Sequence, residues 1–484
     1  MGSLLKIVED VQNEIYEPPK NQFWKIKRNQ KDANKYVVLP DTLGFISYLE
    51  SLGVCFESSS RELVIHEKGI VSKIDISDLK RIVQKNIQRF PDVSDDGATK
   101  NDILSMVMAN EARLFKVKGL LEFLPLVEFP WVASTESVGY FFYRNGLVEV
   151  SEVDIVVKPY ESMDGFIWDT QVIDRDFELV EPEGTDWADF VYKAAGSTDE
   201  LVANLNAALG YTLHAYKDPS KAFLVLFGEA VEDSNKGGGA GKGLTGVGIS
   251  KIVNTAFKDM RQYSASDPFK FSMVNQDTQV LVLSDLKPNF KHDILYNMIT
   301  ESLEINAKNT PVAVYPFSES PKLLASTNYS LDDEAGHGNR RLRLVEFSSF
   351  WNASNTPDKH YGKLLFDQWD ETEWAAFDSY MLLAVAQYLK NGFPKVPESE
   401  SSKRKRILGK PGMIDLMEWL ENYVSDGYSS FADTYIDYSR SKYISKSPIG
   451  KNVFLSRLEE AINISGSKSM DIAENGSVKS LKIW

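Results

Sequence analysis

The sequence predicts an α/β chain, with a three-layer domain in the middle, a mixed α+β domain before it and a small helix-and-hairpin module at the end. Three observations predict it. Residues 223–243, FLVLFGEAVEDSNKGGGAGKG, join an apolar run to a glycine-rich loop that closes on Lys242. Residues 221–350 alternate strand and helix signals, the pattern of a sheet covered on both faces. From residue 411, three helical segments precede a terminal hairpin.

The apolar run from Phe223 to Phe227 reads as a buried strand. The loop after it holds Gly237, Gly238, Gly239, Ala240 and Gly241, then Lys242, Gly243 and Leu244. Behind it Ile249, Ile252, Val253, Ala256, Phe257 and Met260 recur at helical spacing, which predicts a helix continuing to residue 260. Glycines let backbone N–H groups converge on phosphate oxygens. The helix N-terminus adds positive potential, and the lysine supplies a point charge. Residues 237–244 are therefore predicted to cradle the phosphates of a nucleotide. The Walker A pattern is departed from twice: Lys236 stands where a glycine is asked for, and Gly243 where a magnesium-binding hydroxyl is asked for. Thr245 is the nearest hydroxyl.

The chain has 484 residues, enough for roughly two to four domains. Its 43% hydrophobic and 25% charged content is ordinary for a soluble globular protein. A single cysteine, Cys55, excludes an intramolecular disulfide and a cysteine-rich zinc site, and fits a reducing cytosol. No apolar run reaches the ~20 residues that span a membrane. The first residues are too acidic for a signal peptide. The expectation is a cytoplasmic protein with no membrane partner. A net charge of −15 argues against a uniformly basic nucleic-acid binder. It leaves room for positive charge confined to a channel.

Residues 1–175 read as an α+β collar or partner-binding domain. Arg144-Asn145-Gly146 between FFY and LVEV marks a hairpin turn, and 102–115 reads as a helix. The acidic pairs Asp75/Asp78 and Glu152/Asp154 read as solvated surface. The five histidines are scattered, so no primase chemistry is predicted here. Residues 176–220 read as a helical lead-in and 221–395 as the three-layer domain, with a helix over 363–391. Residues 396–410 are a basic linker carrying Lys403-Arg404-Lys405-Arg406. Residues 411–484 read as winged-helix-like. Helices are predicted over 414–423 and 431–443, and a third carries Val453, Phe454, Leu458, Ala461 and Ile462. A hairpin runs over 470–483. Such a module can present a helix and wing to a duplex, or dock a protein.

Three strand ends after the loop carry chemistry. QVLVLSD ends in Asp285, a carboxylate placed to hold nucleotide-bound magnesium, with Ser284 where a second acid is common. PKLLASTNY ends in Ser326, Thr327 and Asn328, whose amide can reach a γ-phosphate or the attacking water. In RRLRLVEF, Leu342 and Leu344 alternate with Arg341 and Arg343, predicting one buried and one cationic face. An arginine there, Arg340, Arg341 or Arg343, could stabilise transition-state charge on a neighbouring subunit's nucleotide.

With GGGAGKG, VLVLSDLKPNF, PKLLASTNYSL and NRRLRLVEF in this order, the chain resembles the superfamily III helicases, a branch of the AAA+ ATPases. More closely it resembles the helicase part of phage and mobile-element primase-helicases related to the poxvirus primase-helicase. The resemblance covers 180–350 best. It implies an AAA+-type P-loop domain and a ring, usually a hexamer, with ATP and Mg2+ between subunits. It implies that Lys242 binds the β- and γ-phosphates and that Asp285 holds magnesium or orients water, with Thr245 the remaining hydroxyl for the metal. Asn328 would sense the γ-phosphate, and Arg340 or Arg341 would be the finger given in trans. A hairpin near 304–318, with Lys308 and Asn309 at its tip, would grip single-stranded DNA. The implied partners are single-stranded DNA, further copies of the chain and a primase or polymerase of the same replication system, in a bacterial host's cytoplasm.

The leading expectation is an ATP-dependent replicative DNA helicase. Gly243 and Ser284 weaken the metal site and keep a second reading open, a nucleotide-gated initiator or DNA-binding scaffold with weak or no turnover. A nucleotide kinase would leave the TNY segment, the paired arginines and the terminal module without roles.

Overall fold

The computed structural model describes residues 22–29, 35–229, 238–287, 290, 293–306, 308, 312–328, 341–396, 403–404, 407–475 and 478–484. Gly237, Asn309 and Arg340 of the predicted site lie outside them. The chain divides into two compact units. One comprises 1–135, 140–149 and 156–177; the other comprises 136–139, 150–155 and 178–484.

In the first unit a five-stranded sheet runs in the spatial order Ile167–Trp168, Ile70–Lys73, Leu63–Glu67, Val54–Glu57, Leu126–Val127. Its three middle strands are antiparallel and its edge strands pair in parallel. Phe23, Phe45, Tyr48 and Phe90 cluster ring against ring in the core. Asp75 and Asp78 are helix punctuation. Asp75 Oδ1 accepts from the Asp78 N–H at 2.8 Å, and Asp78 Oδ2 accepts from the Asp75 N–H at 3.2 Å, a reciprocal capping box. The helix predicted over 102–115 is two helices, Lys100–Ala109 and Glu111–Leu114. Asn110 separates them because its side-chain amide donates back to the Met106 carbonyl at 2.8 Å, in competition with the backbone ladder. Burial pushes the Cys55 thiol up to about 11, which keeps it protonated at neutral pH.

The second unit opens with helices α1 (Asp186–Ala195) and α2 (Asp199–Leu213). Five strands follow: β1 (Leu224–Glu229), β2 (Thr255–Asp259), β3 (Val280–Leu286), β4 (Lys322–Thr327) and β5 (Leu342–Phe347). They form one sheet in the order β2-β3-β4-β1-β5, every pairing parallel. All six residues of β1 are buried, as expected of a parallel strand covered on both faces. Helix α3 (Lys242–Ser250) follows the glycine loop.

Two predicted helices are corrected. The helix expected to reach residue 260 stops at Ser250, and 255–259 is strand β2. There Ala256 is buried and Phe257 is 44% exposed, the alternation of a strand. Gly246 and Gly248 weaken the helix from within, and a short apolar run does not separate the two periods. Over 363–391 the regular helix, α4, is Glu371–Asn391, begun by Asp370, whose carboxylate accepts from the Glu373 N–H at 3.0 Å.

The last 70 or so residues build α5 (Met413–Asn422), α6 (Phe431–Ser439) and α7 (Lys451–Ser465). With them stands a three-stranded antiparallel sheet in the order Ser429–Ser430, Val478–Ile483, Met470–Asn475. The second helix ends at Ser439, short of the predicted 443. Met413, Leu416, Trp419, Tyr438, Phe454 and Leu458 pack with Leu481 and Ile483 in one core. Of the basic linker, Arg404 donates to the Ile464 carbonyl at 3.0 Å, tying it to the end of α7. Among the described residues no helix is long and apolar enough to cross a membrane.

Candidate nucleotide site

All five strands of this sheet run the same way, so their C-terminal ends share one edge. In such sheets ligands bind outside that edge, where the chain reverses its direction of travel across the sheet. The reversal here is at β1, which lies between β4 and β5. Phe227 of β1 pairs with Ser326 of β4, so Glu229 and Asn328 leave the sheet side by side.

Helix α3 starts at this edge with Lys242 at its first position, after Gly241 in the left-handed region (φ 95°). Gly238 and Gly239 also have positive φ, 130° and 84°. Only glycine fits at 241, where an added Cβ would lie 2.8 Å from the Phe190 ring of α1. At Gly243 an added Cβ would meet nothing within 4 Å, so packing does not demand the glycine that replaces the expected hydroxyl. Ala240 is buried and Leu244 half-buried. Behind the loop Phe190 stacks on both Trp187 and Trp351.

The Lys242 side chain is 8% exposed. Its Nζ donates to the Glu229 carboxylate and, at 2.7 Å, to Oδ1 of Asn328. Burial lowers the Lys242 pKa, while the Glu229 ion pair and the nearby Asp285 charge oppose that effect. Oε2 of Glu229 also accepts from the Gly238 N–H at 3.0 Å. The reading of the sequence missed Glu229. It ends the run FLVLFGE as Asp285 ends QVLVLSD, and the same attention to acidic strand ends would have found it.

Asp285 sits where the register of β3 on β4 shifts between Leu283 and Leu286. Its φ is +58°, a conformation that aspartate tolerates better than most residues. Bulges of this kind re-aim a side chain. The Asp285 N–H donates to Ser326 Oγ at 3.2 Å, and the carboxylate, 42% exposed, lies 3.6 Å from Arg261. Arg261 is a second neighbour that the sequence reading did not single out. Thr245 is fully buried, and its hydroxyl donates to the Gly241 carbonyl at 3.0 Å. Among the described residues no group of three or more His, Cys, Asp or Glu is placed to hold a metal.

The remaining candidates lie elsewhere. Arg341 precedes β5 at the opposite edge of the sheet, where its carbonyl accepts from the Leu224 N–H at 2.7 Å. Six strand residues, about 20 Å, separate it from the edge that carries Lys242. The two faces predicted for this strand are corrected. Val345 and Phe347 are buried, Leu344 is 37% exposed, and Arg343 is half-buried with its guanidinium 3.8 Å from the Phe223 ring centroid. Stacking on an aromatic face lets a guanidinium take an inward position. Lys308 is exposed between two antiparallel strands, Leu303–Ile305 and Ala313–Tyr315, paired Leu303 to Tyr315.

No family model matches the chain, and no curated protein does. Solved structures similar to it include the apo structure of the NrS-1 C-terminal region (305–718), at 13% identity and a TM-score of 0.44, covering 92% of this chain and 99% of that one. The A form of the same region gives 13% identity, a TM-score of 0.44 and coverage of 92% and 100%. At that degree of likeness no function is inferred from either.

Proposed function

We propose that the chain is an ATP-dependent DNA helicase that binds ATP at the Lys242 loop, assembles as a ring and moves on single-stranded DNA. One observation carries the reading. A glycine loop, Lys242 at the start of α3, Asn328 and Asp285 converge on the C-terminal edge of a parallel sheet, where that sheet reverses.

The loop fits a phosphate. Three glycines in positive φ, a helix N-terminus and a buried ammonium are the donors such a group needs. The fit to magnesium is thinner. Asp285 is an exposed carboxylate at this edge, and the Thr245 hydroxyl is bonded to the backbone. One carboxylate can serve, because magnesium usually keeps several waters and takes further ligands from the phosphates. When bound, the metal would neutralise charge on the phosphates. Asn328 would orient the terminal phosphate or its attacking water, and Lys242 would hold the β- and γ-oxygens.

Arg341 stands at the far edge of its own sheet, so it can serve a nucleotide only on a neighbouring copy. That placement favours a ring, with the finger given in trans by Arg340 or Arg341. The hairpin carrying Lys308 is the candidate grip on single-stranded DNA, with Asn309, the next residue in sequence, proposed for the same role. The terminal three-helix module is read as a winged helix, and a primase or polymerase as a further partner. The occupied Thr245 hydroxyl and the serine at 284 favour a second reading, a nucleotide-gated initiator or scaffold with little turnover. Strand displacement on a forked duplex tests the proposal. ATP-dependent unwinding supports the helicase, and nucleotide-promoted DNA binding without unwinding supports the scaffold.

A further inference from the structure

We propose that Glu229 is a built-in competitor for the phosphate subsite, so that a nucleotide must displace its carboxylate from Lys242 in order to bind. The proposal rests on reading the Lys242 loop as a nucleotide site.

Glu229 ends β1 with its side chain 1% exposed. Its two oxygens take two different donors. Oε1 accepts from Lys242 Nζ, and Oε2 accepts from the Gly238 N–H at 3.0 Å. An ammonium and a glycine-loop N–H are the donors with which such a loop holds a phosphate oxygen. The carboxylate therefore sits as an anion in an anion's place.

A phosphate and this carboxylate cannot share those donors. Each is negative, and like charges at one site in a buried setting disfavour one another. The exchange is feasible because Lys242 would not be left bare. Its Nζ also donates to Asn328 Oδ1 at 2.7 Å and lies in the field of Asp285. The affinity of the loop is then the difference between two ion pairs, one broken and one made. A polyphosphate, with the higher charge, displaces the carboxylate. An uncharged nucleoside does not.

An ion pair of purely structural purpose behaves differently. Removing its acid would loosen the loop and weaken or leave unchanged the binding of phosphate. A competitor, once removed, leaves tighter binding.

The test uses the full chain and Glu229→Gln, which keeps the shape and loses the charge. Glu229→Asp, whose shorter reach loosens both contacts, serves if the first variant fails to fold. Two readouts are taken. Hydrogen exchange across 238–244 without nucleotide is expected to be faster in the variant, since the Gly238 N–H loses a charged acceptor. Calorimetric titration with ATP and magnesium is expected to give a Kd about tenfold lower in the variant, a gain of about 1.4 kcal/mol. Unchanged exchange would overturn the contact. ATP binding that is equal or weaker in the variants, beside clear binding by the parent chain, would overturn the competitor and leave the nucleotide site standing. ATP binding by none of the proteins would overturn the nucleotide reading itself, and the proposal with it.

Discussion

Lys242 Nζ donates to Oδ1 of Asn328 at 2.7 Å, joining residues 86 positions apart in the chain. The parallel pairing of β1 with β4 makes the contact possible, because it brings both strand ends out at one edge. The same lysine holds Glu229, so one ammonium gathers the ends of two strands. What enters this edge meets a lysine already oriented.

Replacing Lys242 should cost stability as well as nucleotide binding. Lys242→Ala leaves the buried Glu229 carboxylate without its cation, and breaking such a pair costs roughly 3–5 kcal/mol. Urea denaturation is expected to show that loss. The double variant Glu229→Gln/Lys242→Met should recover part of it, because no charge is then left buried.

Asn328→Ala should slow turnover more than it weakens binding. Loss of one group that orients the reacting centre typically costs 100-fold or more, so kcat is expected to fall about 100-fold. KM for ATP should change much less. Equal losses in affinity and rate would instead assign Asn328 to holding Lys242 alone.

If Arg341 serves a neighbouring copy, two inactive variants should complement. Lys242→Ala and Arg341→Ala are each expected to lack ATP turnover. Mixed rings place an intact Lys242 from one variant beside an intact Arg341 from the other. Activity should reappear on mixing, and a mixture as inactive as its parts would remove the trans role.

Two glycines of α3 should respond oppositely to alanine. At Gly248 the new Cβ would lie 2.4 Å from the Trp187 ring, so overpacking should cost about 1–3 kcal/mol. At Gly246 nothing lies closer than 3.6 Å, and Gly246→Ala should gain about 0.5–1 kcal/mol of helix stability. Thermal melts of the two variants check the pair.

Lys217 should make stability depend on alkaline pH. Its amine donates to Ser320 Oγ at 2.6 Å and lies over the Phe317 ring, and burial pushes its pKa down to about 8. Unfolded, the group titrates near 10.5. Between about 8 and 10.5 the unfolded chain binds more protons, so this group's contribution to stability rises with pH across that window and is lost as pH falls through it. The buried amine of Lys322 is shifted the same way by burial and by Lys217, and adds to the slope. Lys217→Met should flatten the rise in urea midpoint measured from pH 8 to pH 10.

Much of the edge was legible in the sequence because a parallel strand announces itself twice, as an unbroken apolar run and as the polar residue where the run stops. Asp285 and Asn328 were each found at such a stop, and Lys242 where the glycine loop closes. Glu229 stands at such a stop too, but no local pattern shows that a lysine 13 residues later folds back onto it. Arg261 was invisible because its neighbour Asp285 is turned by a bulge that no local pattern encodes. The helix drawn through 260 failed because Ala256, Phe257 and Met260 satisfy a period of 3.6 in sequence while Ala256 and Phe257 alternate in space. Arg343 was read as solvent-facing because an arginine on an edge strand usually is. The Phe223 ring that receives it lies 120 residues earlier and could not be paired with it beforehand.

Steady-state ATP hydrolysis, with and without single-stranded DNA and beside Lys242→Ala, tests the central claim most directly. Turnover that DNA stimulates and the substitution abolishes is the expected result. ATP binding without turnover, whether or not DNA is present, would contradict a motor and leave a nucleotide-gated assembly protein.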